Sequence, residues 1–202
     1  SRAGVRDVPY FSARSDMDST LACARMAMSN FDRSEHYPVD DLKDMLYHRE
    51  GNWIFEAQLV PILDYKELGP TLHSTTPYGK LIAGKGDELY GPDASSKIDR
   101  KALEWASGFL NGPRYREEAV PLEKALEWHD MGALIVLGVD RKVLRRDPGL
   151  PYCRYNVVLA GARGGKVFFH DPVAGPDRSL PLDAMKRAYE SGKERTLLGA
   201  MP

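Results

Sequence analysis

Patterns of helical period fill most of the first 130 residues, whereas short apolar runs between glycine-rich turns fill the rest, and this order constrains the fold more than any other feature. Residues 5–11 alternate weakly and read as a short strand. Asp18 or Ser19 then caps a helix to about residue 30, with Leu21, Ala22, Met26 and Met28 among its apolar positions. A second helix is expected from Pro38 and the acidic pair Asp40–Asp41 to about Arg49. A third, over 55–68, contains Pro61, which should kink or split it. Residues 75–96 show no clear period and read as loop with one helical turn. Helices follow over 97–110 and 121–129, the second opened by a proline at a first-turn position. Residues 133–139, 155–160 and 166–169 then read as strands, 181–190 as a last helix and 195–201 as a last strand. Helices first and an antiparallel sheet second is the α+β pattern, with a cleft between the packed halves as the natural place for a site.

Composition narrows the function classes. The 202 residues carry 28 basic and 29 acidic side chains, a net charge of −1. That balance excludes a disordered chain and supplies no basic field for non-specific nucleic-acid binding. The longest nearly apolar run, 131–139, is far shorter than the ~20 residues of a membrane span. No basic-then-apolar signal pattern opens the chain, so a cytoplasmic location is expected. Cys23 and Cys153 cannot make a disulfide framework or a four-cysteine metal site. His36, His48, His73, His129 and His170 show no metal spacing, so neither metal nor other cofactor is expected.

Two motifs are decoys. Gly79-Lys80-Leu81-Ile82-Ala83-Gly84-Lys85 fits the opening of a phosphate-binding loop, but Gly86 stands where Ser or Thr would hold magnesium, and Ser74-Thr75-Thr76-Pro77 is no buried strand. The basic stretch Arg141, Lys142, Arg145 and Arg146 reads as a solvated strand connection.

Three segments carry the functional argument. Val8-Pro9-Tyr10-Phe11-Ser12 is followed by Asp16-Met17-Asp18-Ser19-Thr20-Leu21-Ala22-Cys23-Ala24-Arg25-Met26-Ala27-Met28, a polar turn leading into a helix that begins at a small hydroxyl residue. A nucleophile there gains from the positive end of the helix and its free amides. Cys153-Arg154-Tyr155-Asn156-Val157-Val158-Leu159-Ala160-Gly161 and Lys166-Val167-Phe168-Phe169-His170-Asp171-Pro172 supply two neighbouring strands with polar ends.

In this order the segments resemble the C39-like group of papain-fold cysteine peptidases. That family opens with V-P-Y-F-S-Q, continues with D-x-x-C-G-x-x-C-x-A-M, and carries G-H-x-V-V-V-x-G and a strand ending D-P in its second half. The resemblance runs from Val8 to about Glu190. It implies one two-lobed papain-like domain over 1–202, with N-terminal helices (about 12–130) packed on a C-terminal antiparallel sheet (about 131–202). It also implies that Ser19 stands at the nucleophile position, Ala13 at that of the oxyanion-stabilising glutamine, Arg154 at the general base and Asp171 at the acid that orients the base.

These departures carry chemical meaning. A serine hydroxyl needs a neighbouring base more than a thiol does. Arginine stays protonated and cannot be that base, and alanine offers an oxyanion no side-chain donor. His170 adjoins Asp171 on a strand and should face away from it. Cys23 lies one helical turn beyond Ser19 and reads as a small core residue. Cys153 sits beside a cation that would favour its thiolate, although alternation should turn it away from Arg154. Arg154 is expected to pair with Asp171 and to present positive charge to an anion, with Asn156 adding an amide on the same strand face. Three readings stay open. The first is a pseudopeptidase that binds a peptide or a small anionic ligand in the former active-site cleft. The second is an acyl- or aminoacyl-transferase that takes a carrier-bound acyl group as thioester or ester, and the third is a residual serine hydrolase.

Overall fold

The computed structural model describes residues 4–34, 36–150 and 153–202. After a 3-10 turn at Asp16–Asp18 come α1 (Ser19–Phe31), α2 (Val39–Met45), a 3-10 turn at Glu56–Gln58, α3 (Leu59–Tyr65) and β1 (Pro70–Ser74). Next are α4 (Tyr78–Ile82), α5 (Gly86–Tyr90), a 3-10 turn at Ala94–Lys97, α6 (Arg100–Leu110), β2 (Tyr115–Arg116) and α7 (Leu122–Asp130). The chain closes with β3 (Leu134–Asp140), α8 (Arg141–Leu144), β4 (Arg154–Arg163), β5 (Lys166–Asp171), β6 (Gly175–Pro181), α9 (Leu182–Glu190) and β7 (Thr196–Ala200).

The strands form one sheet in the order β2-β1-β7-β3-β4-β5-β6. All neighbours are antiparallel except β1 and β2. Along β3, Leu134 and Val136 join the core that includes residues of α1, α3 and α6, while Ile135, Leu137 and Val139 join the core with α7 and α9. A strand covered on both faces must be apolar throughout, which is why 133–139 reads as an unbroken apolar run. Helix α1 is buried on almost every side, so small residues such as Ala22, Ala24 and Ala27 fill it and let the sheet approach.

Several local expectations change. Residues 5–11 contribute an isolated bridge, Val5 to Gly161, rather than a strand. Gly161 stands at φ +142°, where a Cβ would meet the carbonyl oxygen of Gly4 at 2.1 Å. Pro61 neither kinks nor splits α3: it is the third residue of the helix, where a missing N–H costs no intrahelical bond, and the break falls before Leu59. Pro121 lies just outside α7, as its N-cap. Residues 75–96 hold two short helices instead of one turn. Strands β1 and β2 precede residue 131 and complete one side of the sheet, and β6 is a further strand beyond those expected. β6 is an exposed edge bounded by prolines, so its residues need no strand-like alternation. Among the described residues, no helix is long and apolar enough to cross a membrane, and no group of three or more His, Cys, Asp or Glu is placed to hold a metal ion.

Candidate functional site

Ser19 is the first residue of α1 and 1% exposed. Its Oγ accepts the Asn156 backbone N–H at 3.2 Å. The register between β4 and β5 ends at Val158 opposite His170, so the Asn156 amide lies past the paired part of that edge, and Ser19 supplies its acceptor. Asn156 Nδ2 donates to Thr20 Oγ1 at 2.9 Å, and Thr20 in turn donates to the Ile54 carbonyl at 3.3 Å. These bonds fix the head of α1 against the start of β4.

Arg154 lies on the same face of β4 as Asn156 and reaches across the sheet. Gly138 of β3 leaves it room, since a Cβ there would stand 3.3 Å from Arg154 Cδ. The guanidinium donates through Nη1 to Glu194 at 2.8 Å, Thr76 Oγ1 at 3.1 Å and Thr196 Oγ1 at 3.4 Å, and through Nη2 to Glu56 at 3.3 Å. Burial opposes its charge, but Glu56 and Glu194, with Tyr78 and Tyr90 nearby, hold its proton even more firmly than usual. Glu194 also accepts the Tyr90 hydroxyl at 2.6 Å and Thr76 Oγ1 at 3.1 Å.

The expected Arg154–Asp171 pair is therefore not formed. Asp171, 2% exposed, accepts the Tyr155 hydroxyl at 2.5 Å on Oδ2 and the amides of Val173 and Ala174, each at 2.9 Å, on Oδ1. Counted back from Gly161, the histidine of G-H-x-V-V-V-x-G falls on Tyr155, with Arg154 one place before it. A one-residue slip on a strand moves a side chain to the other face, and it separated the two residues expected to meet. Burial, reinforced by Asp171, pushes the Tyr155 hydroxyl well above the ordinary tyrosine range, so it remains a donor.

A cleft of about 370 Å³ opens over this face of β4. Ser19, Thr20, Asn156, Arg154, Glu56 and Glu194 form its polar side, and Trp53, Phe55, Tyr90, Leu89 and Met17 its apolar side. Trp53 and Tyr90 meet edge to face at 5.9 Å between centroids, and Phe55 lies 6.5 Å from Trp53. Of the residues singled out in the sequence, Ser19, Asn156, Arg154 and Cys153 line the cleft, and Ala13, Cys23 and Asp171 do not. Ala13 donates its backbone N–H to the Pro172 carbonyl at 2.8 Å. Cys23 is fully buried, and burial with Asp171 and Glu56 nearby pushes its thiol well up. Cys153 precedes β4, so strand alternation does not turn it away from the cleft. Its burial raises the thiol despite the nearby Arg141, against the thiolate expected beside Arg154. His170 donates its Nε2–H to the Val8 carbonyl at 2.8 Å while its Nδ1 accepts the Asp177 amide at 3.1 Å, and it lies outside the cleft.

The basic stretch is solvated only at Lys142 and Arg146. Arg141 and Arg145, on and just after α8, both bind the Asp16 carboxylate and tie the turn before α1 to the connection after β3. The glycine-lysine decoy falls on α4 and the turn that follows it. Glu56, Glu194 and the aromatic side were not singled out in the sequence. Glu56 follows the apolar triplet Trp53-Ile54-Phe55 with no motif around it, and Glu194 lies in a connection 40 residues from Arg154.

No family profile and no curated protein matches the chain by sequence. Solved structures match its fold. The peptidase domain of Streptococcus ComA, a bifunctional ABC transporter involved in a quorum-sensing pathway, superposes with a TM-score of 0.54 at 8% identity, over 97% of this chain and 100% of that one. A double-glycine-motif protease from an AMS/PCAT transporter, solved in complex with the leader peptide, gives 0.51 at 12% identity over 100% and 96%. A Bacillus anthracis protein described as a C39-like peptidase gives 0.52 at 13% identity over 98% of each. The chain has the C39-like peptidase fold across its length.

Proposed function

We propose that the protein binds a peptide in this cleft without cleaving it, as a catalytically degenerate form of the C39-like fold. The observation that carries the reading is the 3.2 Å hydrogen bond from the Asn156 amide to Ser19 Oγ, at the position the resemblance assigns to the nucleophile. A serine must give up its proton to attack, which needs an acceptor, and the group beside it is a donor. Arg154 keeps its proton and is bound to two carboxylates. None of the five histidines lines the cleft. A peptide as ligand class is supported by the apolar residues that line the cleft beside largely buried polar groups, and by the neighbour of the same fold that is solved with a leader peptide. The expected anion-attracting floor has less support, because two carboxylates offset the one guanidinium.

A pool of random hexapeptides, acetylated and amidated at the ends, tests this with one readout by mass spectrometry. Expected is retention of a subset of intact peptides by the folded protein. Hydrolysis abolished by Ser19→Ala would overturn the reading in favour of a serine hydrolase. Incubation with an acyl thioester should leave the protein mass unchanged; an adduct on Ser19 would favour acyl transfer instead.

A further inference from the structure

At the polar side of the cleft, one cation faces two anions. Arg154 binds Glu194 at 2.8 Å and Glu56 at 3.3 Å, and the three side chains are 15%, 11% and 3% exposed. The cluster therefore carries one more negative than positive charge, largely withdrawn from water; the Tyr90 and Thr76 hydroxyls answer Glu194 in part, and a further cation would offset the rest. No other cation around the cleft is paired with these two carboxylates. Asp16 is answered by Arg141 and Arg145, and Lys193, exposed at the mouth, makes no ion pair among the described residues.

A second observation points the same way. Asn156, 3% exposed and lining the same cleft from the same strand face, has a side-chain oxygen with no hydrogen-bond partner. A buried amide oxygen without a donor is an unmet acceptor. The unmet demand at this end of the cleft is thus for donors and positive charge. Trp53, Phe55 and Tyr90 line the cleft beside these carboxylates, with the Tyr90 hydroxyl on Glu194 itself, rings of the kind that attract a cation and cover its apolar stem. Lys97 already stands 5.8 Å from the Trp53 ring centre, which shows the preference within this chain.

We infer that the cleft selects peptides through a basic side chain, whose guanidinium or ammonium sits on Glu56 and Glu194 while its stem lies along the aromatic side. The inference rests on the peptide-binding reading and reverses the anionic ligand expected from the sequence.

Calorimetric titration with butylguanidinium, and with butylurea as its neutral counterpart, reads the site without a peptide. The folded protein should bind butylguanidinium at least about tenfold more tightly than butylurea, and Glu56→Gln should remove that preference while the melting temperature shows a folded protein. If Glu56→Gln does not fold, Glu194→Gln serves in its place. Equal binding of the two probes, no binding of either, or a preference that survives in the folded variant overturns the inference. The hexapeptide pool separates the two levels of the argument. Retained peptides should be enriched in Lys and Arg, and the enrichment should vanish in the variant. Retention without that enrichment overturns the basic-residue inference and leaves peptide binding standing. No retention, with butylguanidinium still preferred, overturns peptide binding and leaves a cation site.

Discussion

Removing the Ser19 hydroxyl tests a structural role that precedes any chemistry, because the buried Asn156 amide donates to it. Ser19→Ala should cost about 1–3 kcal/mol of stability in urea titrations, the range for a buried donor left without its acceptor. Ser19→Cys should bring no peptide hydrolysis, since the variant supplies a thiol but no histidine lines the cleft to act as its base; cleavage of the hexapeptide pool by that variant would contradict this. Arg154 is held more tightly still. Arg154→Met would leave Glu56 and Glu194 facing each other with no cation between them, and breaking a buried pair in this way costs about 3–5 kcal/mol. Arg154→Lys should lie between, because an ammonium cannot present two prongs to two carboxylates at once. A melting temperature for Arg154→Met equal to that of the wild type would show that the cluster contributes no net stability.

Helix α7 depends on a side chain from the far end of the chain. The Arg6 guanidinium donates to the carbonyls of His129 at 2.6 Å, Ala133 at 3.0 Å and Gly132 at 3.3 Å, closing the C-terminal end of the helix where carbonyls lack partners. His129, buried in the last turn, is held below its ordinary value of 6.5 by burial and then by Arg6. The sign follows from proton uptake. Below about pH 6.5 the unfolded chain binds a proton that folded His129 resists, so stability is full above that pH and is lost as pH falls. His48 is shifted the same way, so the comparison must be with His129→Gln, which should flatten the loss of urea stability between about pH 7 and about pH 5.5. Arg6→Met should weaken the helix end and let the His129 value rise, which nuclear magnetic resonance of the imidazole would read. An unchanged value in that variant would show that Arg6 acts on the helix alone.

At the scale of the molecule, the segment before α1 binds the later strands. Arg6 donates its amide to Ala160 at 2.7 Å, Val8 meets His170 at 2.8 Å, Tyr10 donates its hydroxyl to the Pro172 carbonyl at 3.1 Å, and Ala13 donates to the same carbonyl at 2.8 Å. These contacts join residues about 160 positions apart, so both cores should unfold together. Deleting residues 1–12 should lower the melting temperature in a single calorimetric transition. Two separate transitions in the intact chain would show that the two cores are independent. Gly161→Ala should act in the same direction, because its Cβ would meet the Gly4 carbonyl at a distance no side chain tolerates.

Periodicity and composition determined the α+β class, most of the longer helices and the buried strands β3, β4 and β5, because each of those elements has a continuous apolar face or run to bury. The ordered motifs also placed Ser19 at the head of α1 and Arg154 with Asn156 at the start of β4. Tertiary structure decided the rest. β2 has two residues and lies with β6 at the sheet edges, where alternation is weakly demanded. By contrast β1 is interior and its burial alternates, but of its inward residues Pro70, Leu72 and Ser74 only Leu72 is strongly apolar. The partners of Arg154 come from residues 56, 76, 194 and 196, which share a site only because the strand order β1-β7-β3-β4 brings the end of β1 and the start of β7 alongside Arg154, where the turn at Glu56–Gln58 also meets it. Charge in the cleft was misread for the same reason. Sequence shows the arginine, but its two carboxylates are brought to it by strand order and by the space that Gly138 leaves.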